Sequence, residues 1–135
     1  MAASRYLLDT NILSELIRDP QGPVTQRIAA LDDGAICTSI VVAGELRYGA
    51  ARRGSPTLTG RVEQLLEHVE VLALDEAADR HYAEIRNDLE REGRVIGAND
   101  LWIAAHARSL DHILVTRNLR EFERVPGLQI ESWGD

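Results

Sequence analysis

Short apolar runs alternate with longer segments of helical spacing along this chain, and that alternation restricts the fold to few classes. Five runs have the length and composition of buried strands, at residues 5–9, 35–38, 69–74, 112–116 and 128–131. The segments between them place apolar residues three and four apart, as helices with one buried face do. Strands that alternate with helices form a mainly parallel sheet covered on both faces. The sequence therefore predicts an α/β three-layer sandwich of about five strands, the last of them an edge strand.

The length and charge of the chain limit its function. Its 135 residues suit one domain, which we place at residues 1–135. The 22 acidic and 15 basic side chains give a net charge of −7, so the mean field does not attract nucleic acid. All basic residues are arginine, and the lack of lysine excludes P-loop phosphate binding and Schiff-base catalysis. A polyanionic substrate would need a local basic patch or bound cations.

The sequence also bears on the compartment. No apolar run approaches the ~20 residues of a membrane span. Residues 1–5 lack the long apolar core of a signal peptide. Cys37 is the one cysteine, and we expect it to be buried as a small hydrophobic side chain. These features predict a cytoplasmic protein with no membrane partner.

Polar residues follow the predicted strands at the edge where ligands bind in parallel sheets. That rule nominates Asp9, the pair Thr38-Ser39 and residues 116–118 as lining a site. Asp9 ends the first strand, where an acid is either a helix cap or a ligand. Thr10 and Asn11 follow it, and we expect one of these two residues to cap the first helix.

Glu45 and Asp100 are acids on helix faces that are otherwise apolar or small. Glu45 shares its stripe with Val42 and Leu46, and a buried carboxylate without a partner is costly or takes up a proton. An arginine from another helix or a metal would stabilise it. Asp100 stands in the first turn of its helix, with Asn99 as an alternative cap. The partial positive charge of that helix end is expected to lower the pKa of Asp100.

These acids form a candidate metal site. By the strand-end rule, Asp9, Asp100 and Asn118 fall on one edge of the predicted sheet, and Glu45 lies on a helix that starts there. Carboxylate and carboxamide oxygens are donors that suit Mg²⁺ or Mn²⁺. The histidines and the cysteine show no spacing typical of zinc. His106 lies off the face of Asp100, which indicates a packing or surface histidine rather than a metal ligand.

Four segments resemble the motifs of PIN-domain ribonucleases, in the form found in VapC toxins of type II toxin–antitoxin systems. They are Leu7-Leu8-Asp9-Thr10-Asn11 and residues 39–50, 97–107 and 115–128, in the order and spacing of that family. The match runs from about residue 7 to residue 133. The resemblance implies a PIN-like sandwich with Asp9, Glu45 and Asp100 as an acidic triad that binds Mg²⁺ or Mn²⁺. Asn118 stands where the family often has a fourth acid, and the nearby Glu121 matches an acid-plus-Phe pair of the family.

The function implied by this resemblance is a metal-dependent endoribonuclease that cleaves RNA phosphodiesters with metal-activated water. Thr10, Asn11 and Thr116 would orient the metal ligands. RNA would be held by arginines in segments near the edge: Arg47, Arg52, Arg53, Arg94, Arg117 and Arg120. The resemblance also implies a homodimer and a small, DNA-binding, VapB-like antitoxin that joins it in a higher-order complex.

Two other functions are open at this point. A non-toxin Mg²⁺-dependent phosphohydrolase of the haloacid dehalogenase type also has an acid after its first strand. It needs a second acid two residues later, where this chain has Asn11, and it needs a lysine. An inactive PIN-like regulatory binding module predicts loss of the acids, whereas Asp9, Glu45 and Asp100 are all present.

Overall fold

The computed structural model describes residues 5–133, and within that range five strands form one sheet. The strands are β1 (Tyr6–Leu8), β2 (Ile36–Ser39), β3 (Glu70–Leu72), β4 (Ile113–Val115) and β5 (Ile130–Glu131). Their order is β3-β2-β1-β4-β5, and every pairing is parallel. The prediction of a mainly parallel sheet of about five strands is confirmed, with β5 at an edge.

Between residues 5 and 133, seven helices connect the strands. They are α1 (Thr10–Arg18), α2 (Pro23–Ala29), α3 (Ile40–Arg53), α4 (Pro56–His68), α5 (Glu76–Arg91), α6 (Ala98–Ser109) and α7 (Leu119–Phe122). Parallel neighbours need long crossovers, and helical crossovers cover the faces of the sheet. That cover explains why the strands read as continuous apolar runs rather than as alternating ones.

The strand β3 is shorter than its apolar run, and covers Glu70–Leu72 rather than 69–74. Val69 directly follows the last residue of α4, and its backbone N–H donates to the carbonyl of Leu65. Residues 73–74 lie beyond the strand and outside any helix, and Leu74 is exposed. The start of β3 is thus set by the end of α4.

Polar side chains at the strand ends cap the helices. Ser39 caps α3 and Asp75 caps α5, as predicted. The prediction that Thr10 or Asn11 caps α1 is wrong, because the helix begins at Thr10 and the preceding Asp9 keeps an extended backbone. An oxygen of the Asp9 carboxylate accepts from the N–H of Thr10.

Helix α6 lies in the core. Its residues Leu101, Ile103 and Ala104 are buried, as are Leu7 and Leu114 on the central strands. The helix begins after Gly97, which offers no side-chain cap. The alternative that Asn99 or Asp100 caps this helix is therefore wrong, and the Asp100 carboxylate is free for another role.

Two polar side chains in the core behave as the sequence indicates. Cys37 is fully buried, and burial raises its thiol pKa to about 11, which leaves it protonated at neutral pH. His106 is also fully buried, with Nδ1 2.9 Å from Oγ of Ser39. This contact joins α6 to the start of α3 and confirms that His106 packs in the core.

No helix within residues 5–133 has the length and apolarity to cross a bilayer. Residues 1–4, on which the expectation about a signal peptide partly rests, lie outside the described range. A single domain over residues 1–135 stays a prediction.

Ile103→Ala tests whether α6 depends on packing. Ile103 is fully buried, so its truncation should lower the free energy of unfolding by about 2–5 kcal/mol. Val95→Ala is the control, since Val95 is 56% exposed and should change stability by no more than ~0.5 kcal/mol. Urea unfolding of both variants measures this. Equal losses would contradict a core position for α6.

Candidate active site

A cavity of about 440 Å³ opens beyond the carboxyl ends of β1 and β4. We call it the acid cavity. It brings together all three acids that the sequence nominates, although they come from separate motifs of the chain. Its lining consists of Asp9, Thr10, Asn11, Ser14, Arg18, Glu45, Asp100, Arg117 and Asn118.

Asp9 is the most deeply buried of the three acids, at 4% exposed. One carboxylate oxygen accepts from the N–H of Thr10 and the other from the hydroxyl of Thr116, each at 2.8 Å. Burial raises the pKa of Asp9, the two hydrogen bonds oppose that rise, and the charges of Glu45 and Glu121 add to it. Its carboxylate is thus held in a fixed orientation.

Glu45 reaches the same cavity from α3 and is half-buried. The hydroxyl of Thr10 donates to Oε1 at 2.5 Å, and Nδ2 of Asn99 donates to Oε2 at 3.3 Å. Thr10 therefore contacts two acids, Asp9 through its backbone and Glu45 through its side chain. Arg47, on the same helix, instead forms two hydrogen bonds, of 2.8 and 2.9 Å, to Glu63.

Asp100 occupies the first turn of α6, and its pKa moves in the direction opposite to our prediction. The pKa is raised to about 7 by burial, by a hydrogen bond with Glu121 and by the charges of Glu121, Asp9 and Glu45. The field of the helix end favours the ionised form, but burial and three like charges outweigh it. The prediction of a lowered pKa is wrong for the metal-free protein.

Glu121 is a fourth carboxylate at this site, and we had not assigned it a role there. Oε1 accepts from the N–H of Gly97 at 3.1 Å, and Oε2 accepts from the carboxamide of Asn118. Its contact with Asp100 links α7 to the first turn of α6. The spacing of three residues from Asn118 is a signal for a shared helix face, which sequence reasoning could have used.

The other nominated polar residues divide into two groups. Thr10 and Thr116 touch acids directly, whereas Oδ1 of Asn11 accepts from the N–H of Arg117 at 3.1 Å and so holds the loop after β4. Asn118 lines the cavity, but its amide group donates to Glu121. Asn11 therefore acts on the loop that carries Asn118 rather than on an acid.

The arginines nominated for RNA binding lie in different settings. Arg117 lines the acid cavity and pairs with Glu15, and Arg47 pairs with Glu63. Four others are exposed and lie outside the lining of the acid cavity: Arg52, Arg53, Arg94 and Arg120.

Arg18 was missed, although it is exposed and lines the acid cavity. The signal for it is a polar stripe on α1, because Thr10, Ser14 and Arg18 follow one another at intervals of four residues. Ser14 lines the cavity together with Arg18. Sequence reasoning had followed only the apolar stripe of this helix.

The donor set of the acid cavity fits a hard divalent cation. Two of the nominated arginines form ion pairs with acids outside this set, Arg47 with Glu63 and Arg117 with Glu15. Within residues 5–133, no three Asp, Glu, His or Cys side chains are already close enough to form a complete ligand set. Carboxylates that repel one another are a suitable environment for a cation with oxygen ligands.

Comparison with known proteins agrees with this geometry. The PIN-domain family model matches residues 6–128, and that span includes Asp9, Glu45, Asp100 and Asn118. A tRNA(fMet)-specific endonuclease VapC from Shigella flexneri is 42% identical, over 96% of this chain and 98% of the relative. Ribonuclease VapC2 from Haemophilus influenzae is 38% identical over the same shares.

A solved structure shows the same fold. The crystal structure of VapBC2 from Rickettsia felis, bound to a DNA fragment from their promoter, contains a chain with a TM-score of 0.88 and 32% identity. The match covers 95% of this chain and 98% of that one. The fold is that of a PIN domain. The chain belongs to the PIN-domain family and, within it, to the VapC ribonucleases.

The raised pKa of Asp100 predicts how stability depends on pH. The folded, metal-free protein keeps a proton on Asp100 up to about pH 7. In the unfolded chain Asp100 loses that proton near the ordinary aspartate pKa of 3.8. The free energy of unfolding should therefore fall as pH rises between those two values. Asp100→Asn removes that fall and should stabilise the metal-free protein at pH 8 by on the order of 1 kcal/mol, after allowance for solvent screening.

Urea unfolding between pH 4 and pH 8, in the presence of a chelator, measures the difference. The matched control is Asp79→Asn, because Asp79 is exposed on α5. A stabilisation by Asp100→Asn that is equally large at pH 4 and pH 8 would contradict the raised pKa.

Proposed function

We propose that this chain is the RNA-cleaving toxin of a VapBC-type pair and that its acid cavity holds Mg²⁺ or Mn²⁺. The observation that carries this proposal is that Asp9, Glu45 and Asp100, which come from three separate motifs of the chain, line one cavity. The ribonuclease activity is inferred from membership of the family. The need for a cation is inferred from the carboxylate oxygens that line the cavity.

Asp9 and Asp100 would hold the cation most directly, with Glu45 beside them. When bound, a divalent cation polarises the phosphodiester and lowers the pKa of a nearby water. Thr116 and Thr10 keep the Asp9 carboxylate oriented through their hydrogen bonds. Because Asp9 is 4% exposed, water cannot readily displace those contacts.

Glu45 is placed to accept the proton that water loses as it attacks. The water oxygen forms a bond to phosphorus, the bond from phosphorus to the 3′ oxygen breaks, and solvent returns a proton to that oxygen. The products carry a 5′-phosphate and a 3′-hydroxyl. One oxygen of Glu45 is held by Thr10 and the other by the longer contact with Asn99. This second oxygen is the more available for the proton.

The relatives suggest a substrate and a partner. The Shigella flexneri relative is named as specific for tRNA(fMet), and we propose initiator tRNA as the RNA substrate to be tested. The Rickettsia felis complex was solved as VapBC2 with promoter DNA, which supports a cognate DNA-binding antitoxin here. We also propose that the chain forms a homodimer and acts in the cytoplasm, where tRNA is found.

Asp100→Asn and Asp9→Asn should each lower the rate of initiator tRNA cleavage by roughly 100-fold or more, because each removes a proposed cation ligand. Chelation should abolish cleavage by the wild-type protein, and added Mg²⁺ or Mn²⁺ should restore it. Gel analysis of end-labelled tRNA measures all of these rates. Asp79→Asn is the control, and it should cleave as the wild type does.

Expression in cells provides a second measurement. The wild-type chain should arrest growth, the two variants should not, and co-expression of the cognate antitoxin should relieve the arrest. Cleavage by Asp100→Asn at the wild-type rate, together with the same growth arrest, would refute the proposal.

We further propose that Glu121, rather than Asn118, supplies the fourth acid of the site. Glu121 contacts Asp100, whereas the Asn118 amide is used as a donor to Glu121. Glu121→Gln should raise the Mg²⁺ concentration that gives half-maximal cleavage by about 10–100-fold. Asn118→Ala should have a smaller effect. Cleavage rates across a Mg²⁺ titration compare the two variants, and the reverse order would return the role to Asn118.

A further inference from the structure

Tyr48 is the one aromatic side chain that this fold leaves exposed. All six aromatic residues lie within residues 5–133, and Tyr48 is 64% exposed. Tyr6 packs on Trp133 with ring centroids 5.3 Å apart, and Tyr82 stacks on Trp102 at 3.9 Å. Phe122 is buried. Tyr48 forms no aromatic pair among the described residues, and its exposed side chain is accessible to a ligand.

Tyr48 stands beside the acid cavity. It lies three residues after Glu45 on α3, so the two side chains are neighbours on one face of that helix. A second cavity of about 570 Å³, which we call the Tyr48 cavity, is lined by Thr10, Ile40, Val41, Gly44, Glu45, Tyr48 and Asn99. Thr10 and Glu45 line both cavities. The two cavities are therefore adjacent, with Thr10 and Glu45 between them.

The lining of the Tyr48 cavity suits a flat, uncharged ring with polar edges. Ile40 and Val41 are apolar, and a Cβ at Gly44 would meet no atom within 4 Å outside its own helix. Asn99 adds a carboxamide, whose donor and acceptor groups match the edge of a base. No arginine lines this cavity among the described residues, so its chemistry suits a base rather than a phosphate.

We propose that Tyr48 stacks on a base of the RNA next to the cleaved bond and so positions that bond over the acids. This inference rests on the proposed ribonuclease function. The occupant is a nucleobase because the Tyr48 cavity adjoins the acid cavity, where the phosphodiester is expected. Stacking on an aromatic side chain accepts any base and is a common way to hold unpaired nucleotides.

The first measurement is RNA binding without cleavage. Fluorescence anisotropy of labelled initiator tRNA is recorded with Asp100→Asn protein, alone and combined with Tyr48→Ala or Tyr48→Phe. Tyr48→Ala should weaken binding by roughly 5–150-fold. Tyr48→Phe keeps the ring and should recover most of that loss.

A pair of glycine substitutions tests the cavity rather than the tyrosine. Gly44→Leu should fill the Tyr48 cavity and weaken binding, without disturbing the packing around α3. The matched control is Gly60→Leu on α4, where a Cβ also meets no atom within 4 Å. Gly60 does not line the Tyr48 cavity, and its substitution should leave binding unchanged.

The sharpest measurement pairs Tyr48 with one base. The cleavage position is first mapped, and synthetic tRNAs are made that each lack one base, either before or after that position. The wild-type protein and the Tyr48 variants, which keep Asp100, then cleave each of these tRNAs. Loss of the stacked base should raise KM for the wild type and add nothing in Tyr48→Ala. This non-additivity identifies direct contact. Equal KM increases in both backgrounds would overturn the proposal.

Two further outcomes separate this proposal from its alternatives. If Asp100→Asn abolishes cleavage but Tyr48→Ala binds tRNA as the parent does, the proposed function stands and the stacking role is wrong. Sedimentation of RNA-free wild-type protein and Tyr48→Ala provides the last test. Dissociation of an oligomer by Tyr48→Ala would assign the ring to a contact with a second copy of the chain and would overturn the stacking role.

Discussion

The fold holds four carboxylates at one edge of the sheet against their mutual repulsion. Burial raises the pKa values of Asp9 and Asp100, and the charges of Glu45 and Glu121 raise both further, so that the pKa of Asp100 is about 7. An arrangement that costs stability in the metal-free protein persists only when packing elsewhere fixes it. The hydrophobic core supplies that packing.

Two threonines hold the acids in fixed orientations through hydrogen bonds. Thr116 follows β4 and donates its hydroxyl to Asp9, and its own N–H donates to the carbonyl of Glu131 beside it. Thr10 contacts Asp9 through its backbone and Glu45 through its hydroxyl. Because both threonines lie at the ends of central strands, a shift between β1 and β4 would move the acids directly.

The sequence predicted the architecture well because that architecture depends on local patterns. Continuous apolar runs indicate parallel strands, and the strand-end rule places Asp9 and Asn118 at one edge. Helix starts were harder to locate, as Asp9 shows, because Asp9, Thr10 and Asn11 are all polar and any of them suits a cap. Only the backbone conformation distinguishes them.

The electrostatics of the site could not be read from the sequence. The prediction for Asp100 used the helix end, which is a local property. It failed because burial in the folded chain raises the pKa, and because Glu121 and Asp9, distant in sequence but close in space, raise it further. Arg18 was missed for a different reason. The polar stripe on α1 that contains it is visible in the spacing of Thr10, Ser14 and Arg18. The apolar periodicity used to identify the helix indicates only its buried face.

The first turn of helix α6 carries a residue of the acid cavity, and its later turns pack in the core. Asp100 lies in the first turn and is half-buried, whereas Ile103, Ala104 and Ala107 are fully buried. His106 adds a buried hydrogen bond to Ser39, at the start of the helix that carries Glu45. A substitution in the first turn therefore changes charge while the core keeps the helix in place. A substitution further along alters the packing of α6, and at His106 it would also remove the buried contact between α6 and the start of α3.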